Sequence, residues 1–256
     1  MEQGNRLARI KKVTPKKAVR KTNFEVHRAI DNYKTSRQRQ KAKRKLLQTF
    51  KNPPAFSITY DELALITGSI VFLDNKEIPA LYSYGRKAKN LVEIGAAFGG
   101  STSILLASIP KTANLTSIDP FVEDSMGPWS ANEARCRQSV ARLLRAVGRS
   151  DKLERWSLIV KPSYEAVKKW KKEVDFIFID GDHNYKAVKN DFEDWLPHVK
   201  KGGLILIHDS RRVPGTPVKE YNRGWPGPTK LAKELQIDRR IALANEVHSI
   251  TIWQKI

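Results

Sequence analysis

Short apolar runs alternate with amphipathic stretches along the chain from residue 90 onward. Each apolar run has the length of a strand that is buried on both faces. The stretches between them place apolar residues at the i, i+3, i+4, i+7 spacing of a helix, most clearly at 131–147, which is followed by the helix-capping Gly148. This alternation predicts βαβ units, and hence an α/β fold with a parallel sheet and helices on both faces.

The pattern places the individual elements as follows. Strands are predicted at 90–94, 114–118, 153–160, 174–179, 204–207 and 249–253. Helices are predicted at 60–68, 78–89, 101–108, 131–147, 164–170, 185–199 and 229–235. The paired prolines of Asn52-Pro53-Pro54 stop a helix and stiffen a linker, so they mark a boundary between an arm, 1–54, and a main domain, 55–256.

Charge is concentrated in this N-terminal arm. Residues 1–51 carry 17 Lys and Arg against 3 acids, which accounts for +14 of the total net charge of +20. Such a basic arm, helical or disordered, attracts nucleic acid or another polyanion regardless of sequence. A solvated tail is the alternative, because few aromatic residues are interleaved for base stacking.

Composition excludes several classes of protein. No apolar run approaches the roughly 18 residues that a membrane span needs, so no transmembrane segment is expected. The single cysteine, Cys136, rules out an internal disulfide and a cysteine-cluster metal site, and favours a cytoplasmic location. The sequence leaves open whether the chain forms a homo-oligomer.

A glycine-rich turn follows the first predicted strand, in the segment Glu93-Ile-Gly95-Ala-Ala97-Phe-Gly99-Gly. Glycines there let the backbone approach a ligand, and the next helix supplies amide donors. The turn also fits a dinucleotide-binding pattern loosely. Glu93 favours a cationic aminoacyl-sulfonium cofactor over an anionic pyrophosphate.

Two further polar positions follow the next strands. Asp119 ends the second strand, where a carboxylate can accept hydrogen bonds from both hydroxyls of a ribose, although it can equally cap a turn before Pro120. Ser163 follows the third strand, where its hydroxyl can meet an adenine edge or cap a helix.

The most informative stretch is Phe176-Ile-Phe-Ile-Asp180-Gly-Asp182-His183-Asn-Tyr. Its acids and imidazole lie at the carboxyl end of a strand, where open α/β sheets bind ligands. Asp209 ends the next strand, so Asp180 and Asp209 can converge on Mg²⁺ or another divalent cation. His208 can join them, since imidazole suits a transition metal better than Mg²⁺. Asp182 or His183 can accept the proton of a substrate hydroxyl.

These segments, in this order, resemble the class I S-adenosylmethionine-dependent methyltransferases over residues 88–256. Glu93-x-Gly95-x-x-x-Gly99 is similar to that superfamily's first motif, and Asp119 to its ribose-binding acid. The stretch at 179–185, together with Gly202-Gly203 and His208-Asp209, resembles the branch of macrocin-type sugar O-methyltransferases and cephalosporin hydroxylase-like proteins.

The resemblance implies a Rossmann-like, seven-stranded methyltransferase sheet that binds S-adenosyl-L-methionine. It places Asp180 and Asp209 on metal-ligand positions and Asp182 on the proposed base. His183 falls near the catalytic lysine of the catechol O-methyltransferases, which are a more distant match. The predicted cofactor-binding residues are Glu93, Gly95, Ala97, Gly99, Ser101, Asp119, Ser163 and Asp180. The chain departs from the pattern at His208, where the sugar enzymes have a second acid, which leaves the metal requirement open.

The expected activity is therefore methyl transfer to a hydroxyl of a small molecule or glycan, such as a sugar or natural product. Two alternatives use the arm: an RNA methyltransferase guided by it, or a non-catalytic relative that docks on an anionic partner. A nucleotide-linked dehydrogenase is a third alternative, because of the dinucleotide-like turn.

Overall fold

A computed structural model describes residues 40, 43–48, 58–122, 131–213 and 225–256. The strands of these regions are β1 Asn90–Ile94, β2 Asn114–Ile118, β3 Trp156–Ile159, β4 Val174–Ile179, β5 Val199–Ile207, β6 Ile241–Val247 and β7 Ile250–Lys255. Two α-helices precede the first strand, α1 Tyr60–Thr67 and α2 Glu77–Gly85. The later α-helices are α3 Gly100–Ser108, α4 Glu133–Ala146, α5 Ser163–Ala166, α6 Tyr185–Trp195 and α7 Pro226–Leu235.

The seven strands form one sheet in the order β3-β2-β1-β4-β5-β7-β6. The first five are parallel, whereas β7 pairs antiparallel with both β5 and β6. This is the α/β arrangement expected from the alternation of apolar runs and amphipathic stretches. Strand order reverses between β1 and β4, which creates a crevice at their carboxyl ends.

Side chains of each strand alternate between two cores on opposite faces of the sheet. In β4, Phe176 and Phe178 pack in the core formed with α1 to α4. Ile177 and Ile179 point to the other core, which includes apolar residues of α6 and α7. Burial on both faces is why the strands are nearly continuous apolar runs in the sequence.

Some element boundaries differ from those predicted. The run predicted as a strand at 153–160 starts only at Trp156, because Ser150–Arg155 forms a 3₁₀ helix. The helix predicted at 185–199 ends at Trp195, since Pro197 cannot donate a hydrogen bond to a continuing α-helix. Strand β5 begins at Val199 rather than at residue 204. Strand β6 is not among the strands predicted from the sequence.

Little of the basic arm falls within the described residues. Residues 43–48 are helical, and Leu46 is buried in the core on the α1–α4 face. Lys45 donates a hydrogen bond of 2.6 Å to Glu62 in α1. The predicted boundary at 52–54 and the arm before residue 40 lie outside the described residues. Among the described helices, none has the length and apolarity needed to cross a bilayer.

Candidate functional site

The carboxyl ends of β1, β2, β3 and β4 surround a cleft of about 870 Å³. Parallel pairing continues to the strand ends, where the amide of Asp180 donates to the carbonyl of Ile94 at 2.8 Å. Predicted cofactor residues in the cleft wall are Gly95, Ala97, Asp119, Ser163 and Asp180. The crevice at the strand-order reversal is thus lined by residues that the sequence analysis singled out.

Gly95 lets the turn after β1 lie against the end of β4. Its φ of +91° is in the left-handed region, and a Cβ built there would lie 2.0 Å from the carbonyl oxygen of Asp180. Gly99 also has positive φ, +80°, and forms the N-cap of α3, close to the backbone of Cys136. No larger residue fits at Gly95 without displacing the Asp180 backbone.

Asp119 holds this turn in place. Its Oδ2 accepts hydrogen bonds from the amides of Ala96 and Ala97, at 2.9 and 2.8 Å, and its Oδ1 accepts from Phe121 at 2.7 Å. The carboxylate is therefore both a turn-organising group and part of the cleft wall. The ribose-binding and turn-capping interpretations of Asp119 are compatible in this geometry, because Oδ1 accepts one hydrogen bond from the turn and has a further lone pair.

Glu93 lies behind the turn rather than in the cleft wall. It is fully buried, and its Oε2 accepts hydrogen bonds of 2.6 Å from both Thr102 and Ser117. Its Oε1 has no hydrogen-bond partner among the described residues. Burial raises the pKa of Glu93 to about 7, against the opposing effect of the Ser101 hydroxyl. The predicted contact residues Glu93, Gly99 and Ser101 thus support the cleft from behind.

The far side of the cleft is formed by α5 and α6. Ser163 is the first residue of α5, whose N-cap is Pro162, and its hydroxyl accepts a hydrogen bond of 2.8 Å from the Trp195 indole. Asp191, which the sequence analysis did not single out, also lines the cleft. Burial raises the pKa of Asp191 to about 6.

A second cavity of about 600 Å³ adjoins the cleft, and Asp182 and Asn184 line both. Asn184 is the N-cap of α6. Asp182 precedes the cap, and its Oδ1 accepts hydrogen bonds from the amide and side-chain nitrogen of Asn184, at 2.9 and 2.7 Å. The predicted base Asp182 therefore lies between the two cavities.

An acid–imidazole cluster lies beneath this junction. Ligand atoms of Asp180, His183 and His208 lie within 4.8 Å of one another. His183 Nε2 is 3.8 Å from Asp180 Oδ1 and 3.4 Å from Asp209 Oδ2. The structure thus brings together the predicted metal ligands Asp180, His208 and Asp209, and adds His183 to them.

Glu77 in α2 completes the cluster and was missed by the sequence analysis. Its Oε2 is 3.1 Å from His208 Nε2, while Asp180 Oδ1 is 2.9 Å from His208 Nδ1. The other oxygen of Glu77 accepts from His248 Nδ1 at 3.0 Å and from the Ser249 hydroxyl at 2.6 Å. Both ring nitrogens of His208 thus face carboxylates, an arrangement that favours the doubly protonated imidazolium.

This pairing shifts the pKa of each partner. Burial alone would lower the pKa of His208, but Asp180 and Glu77 together raise it well above its usual value. Burial alone would raise the pKa of Glu77, but hydrogen bonds with His208 and His248 bring it well below the usual carboxyl range. These opposite shifts favour a buried charge pair between the His208 imidazolium and the Glu77 carboxylate.

A family model described as a methyltransferase domain matches residues 92–210 of the chain. This segment runs from β1 through the end of β5 and includes the glycine-rich turn and, from the acid–imidazole cluster, Asp180, His183, His208 and Asp209. The resemblance to class I S-adenosylmethionine-dependent methyltransferases is confirmed, and the seven-stranded sheet is the fold of that class.

Similar solved structures share this fold at low sequence identity. One is a Corynebacterium glutamicum protein, 16% identical with a TM-score of 0.55 over 91% of this chain and 97% of that one. Another is the O-methyltransferase TomG of Streptomyces achromogenes, solved with SAM, 14% identical with a TM-score of 0.51 over 84% of this chain and 89% of that one. The SAH-bound methyltransferase of Podospora anserina is 17% identical, with a TM-score of 0.50 over 84% and 88% of the two chains.

Two sequence relatives match a little over half of the chain. An uncharacterized protein of Acanthamoeba polyphaga mimivirus is 27% identical over 147 residues, which are 57% of this chain and 60% of that protein. An uncharacterized protein of Sinorhizobium fredii is 26% identical over 149 residues, 57% of this chain and 15% of that protein. The chain thus spans less than two thirds of either relative.

Proposed function

We propose that this protein transfers a methyl group from S-adenosyl-L-methionine to a hydroxyl oxygen of a small molecule. The observation that carries the proposal is the junction of two cavities at Asp182. One cavity has the walls expected for the cofactor, and the other is open for an acceptor. Neighbours solved with SAM or SAH have the same fold and support the choice of cofactor.

In the cofactor cleft, Asp119 accepts a hydrogen bond from a ribose hydroxyl through Oδ1 while it holds the glycine-rich turn. Asp191 and Ser163 lie on the far wall, where the edge of the adenine fits. The junction with the second cavity, at Asp182 and Asn184, is where the methyl donor and the acceptor would meet. Positioning donor and acceptor in line is itself a large part of catalysis, because it removes the entropy cost of their encounter.

The chemical step is a displacement at the sulfonium methyl carbon. An oxygen lone pair of the acceptor forms the new C–O bond as the S–CH₃ bond breaks, and its electron pair stays on sulfur to give S-adenosylhomocysteine. The hydroxyl proton passes to Asp182, or to His183 beside it. Both side chains line the second cavity, as this step requires.

The acid–imidazole cluster fits a divalent ion. Asp180, His183 and His208 offer three converging ligand atoms. Glu77, on the second nitrogen of His208, is the orienting partner that metal-binding histidines commonly have. Two imidazoles favour Mn²⁺ or a later transition metal over Mg²⁺. When bound, such an ion lowers the pKa of a coordinated hydroxyl.

The test is methyl transfer from labelled S-adenosylmethionine to a panel of hydroxylated compounds, with Mn²⁺, Zn²⁺, Mg²⁺ or EDTA. Asp182→Asn is expected to lower kcat about 10²- to 10⁴-fold, as for loss of a general base, and to leave the Kd of S-adenosylhomocysteine unchanged. Glu154→Gln, an exposed acid outside both cavities, is the matched control. Unchanged turnover of Asp182→Asn at saturating cofactor would remove the base assignment.

The same assay separates the alternatives. Labelling of RNA but of no small molecule, lost on deletion of residues 1–51, would favour the RNA methyltransferase. Tight binding of S-adenosylmethionine with no methyl acceptor would favour the non-catalytic relative. If EDTA and added ions leave the rate unchanged, the metal proposal fails while methyl transfer stands.

A further inference from the structure

The second cavity is formed by two stretches of chain that are distant in sequence. One is the turn at 182–185 between β4 and α6, and the other is the start of α7 at 225–230. Gly227 allows their contact, since a Cβ there would lie 2.2 Å from the carbonyl oxygen of His183. The backbones of these two stretches are therefore in direct contact at Gly227, and the cavity lies between them.

One wall is the exposed indole of Trp225, a residue whose backbone is hydrogen-bonded to the segment after β5. The backbone amide of Trp225 donates to the carbonyl of Asp209 at 2.9 Å, which ties the start of α7 to the end of β5. The Trp225 and His183 ring centroids are 4.8 Å apart with planes tilted by 39°. Trp225 remains 53% exposed, so it offers a flat apolar face to a ring in the cavity.

The other wall carries the cation of Lys230. Lys230 Nζ lies 3.9 Å from the centre of the Tyr185 ring. The Tyr185 hydroxyl is 2.7 Å from both oxygens of Glu234, and Lys189 Nζ is 3.0 Å from Glu234 Oε2. Glu234 is thus already neutralised by Lys189. Among the described residues, Lys230 has no ion pair.

The two charged groups Asp182 and Lys230 differ in their position relative to the cofactor cleft. Asp182 lines both cavities, whereas Lys230 lines only the second. An acceptor whose hydroxyl reaches Asp182 places its remaining substituents toward α7. An anionic substituent there meets the ammonium of Lys230 and gains a charge-assisted hydrogen bond.

We propose that the methyl acceptor is a hydroxylated ring with an acidic substituent, whose ring packs on Trp225 and whose anion binds Lys230. This inference rests on the proposed methyl transfer and specifies its substrate class. A uronic acid, a sugar phosphate and a hydroxybenzoate share this chemistry.

The experiment compares matched pairs of compounds on the full chain. The pairs are glucuronate and glucose, glucose 6-phosphate and glucose, and 3,4-dihydroxybenzoate and catechol. Binding to the protein loaded with S-adenosylhomocysteine is measured by calorimetry, and methyl transfer is measured in parallel. An acidic member is expected to bind about 10- to 100-fold more tightly than its neutral partner, the factor expected for one charged hydrogen bond.

Variants then assign the preference to individual side chains. Lys230→Gln is expected to weaken binding of the acidic compound by the same factor, with kcat little changed and neutral compounds unaffected. Lys233→Gln is the matched control, because it removes the same charge from an exposed position of the same helix. Trp225→Ala is expected to weaken binding of acidic and neutral rings alike. Melting temperatures verify that each variant is folded.

The outcomes distinguish the two proposals. Failure of S-adenosylhomocysteine to bind overturns the proposed function itself. If it binds and no acidic compound exceeds its neutral partner, the acidic-acceptor inference fails alone. The inference also fails if Lys233→Gln has the effect expected of Lys230→Gln. The sugar and benzoate pairs separately show which kind of ring is preferred.

Discussion

Replacing Gly95 by alanine tests the closest backbone approach in the cofactor cleft. The new Cβ would lie 2.0 Å from the Asp180 carbonyl oxygen and 2.5 Å from its carbon, so the turn or the end of β4 must move by more than 1 Å. A left-handed conformation costs an L-residue roughly 1–2 kcal/mol. Overpacking adds about 1–3 kcal/mol. The expected total is about 2–5 kcal/mol, with loss of cofactor affinity because both displaced segments line the cleft.

Gly148 and Gly202 serve as controls that separate the cost of backbone strain from the cost of a steric collision. Gly148 and Gly202 also have positive φ, +67° and +78°, but a Cβ at either position meets nothing within 4 Å. Gly148→Ala and Gly202→Ala are therefore expected to lose only about 1–2 kcal/mol and to bind S-adenosylhomocysteine normally. Urea unfolding gives the free energies, and calorimetry gives the Kd. If Gly95→Ala matches these controls in both measurements, the close contact is not a constraint on the site.

Three further predictions concern charge and packing. Glu77→Gln is expected to cost about 3–5 kcal/mol in EDTA, since it breaks a buried ion pair. In the wild type, the stability that comes from pairing Glu77 with protonated His208 and His248 is complete below pH about 6.5. It is lost as pH rises through the raised pKa values of these two histidines. The free energy of unfolding of the variant, measured with urea, should therefore decline less steeply between pH 6 and 9, and parallel curves would contradict the pairing. Asp191 has its pKa raised from 3.8 to about 6, so its charge penalises the folded state above that pH. Asp191→Asn should therefore stabilise the free protein at pH 8 by up to about 3 kcal/mol. This gain should shrink to nothing below pH about 4, and an equal change in the free energy of unfolding at pH 8 and at pH about 4 would refute the assignment. Gly227→Ala, whose Cβ would meet the His183 carbonyl, should raise the KM of the acceptor and leave the Kd of S-adenosylhomocysteine unchanged; the reverse pattern would place Gly227 in the wrong cavity.

Much of the fold follows from local pattern. Apolar runs and helical periodicity identify β1, β2 and β4 with their observed bounds, because strands buried on both faces can contain few polar residues. Boundaries governed by local backbone chemistry were less accurate. Pro197 ends α6 before the predicted end, and a 3₁₀ helix replaces the start of the predicted third strand.

Strand β6 shows why an edge strand is harder to predict. Five of its seven residues are exposed, so it lacks the apolar run that marked the central strands. Its backbone is held extended by antiparallel pairing with β7, and its own sequence does not indicate this conformation. Tertiary context therefore determined this strand.

The sequence by itself determined which acids lie at the carboxyl ends of the strands. Asp180 and Asp209 follow consecutive strands, and parallel neighbours end at the same edge of a sheet, so their proximity could be predicted. The same reasoning placed Gly95 and Asp119 in one cleft. These relations depend on where the strands end, which the apolar runs indicate, and on parallel pairing, which the alternation of strands and helices predicts.

Only the tertiary structure decided what surrounds those acids. Glu77 lies 131 residues before His208 in the chain, yet it contacts that ring because α2 packs against the end of the sheet. Trp225 and Lys230 face the second cavity only because Gly227 lets α7 approach the turn at 182–185. Such contacts depend on how helices pack on the sheet, and hydrophobic periodicity specifies the buried face of a helix without specifying its neighbours.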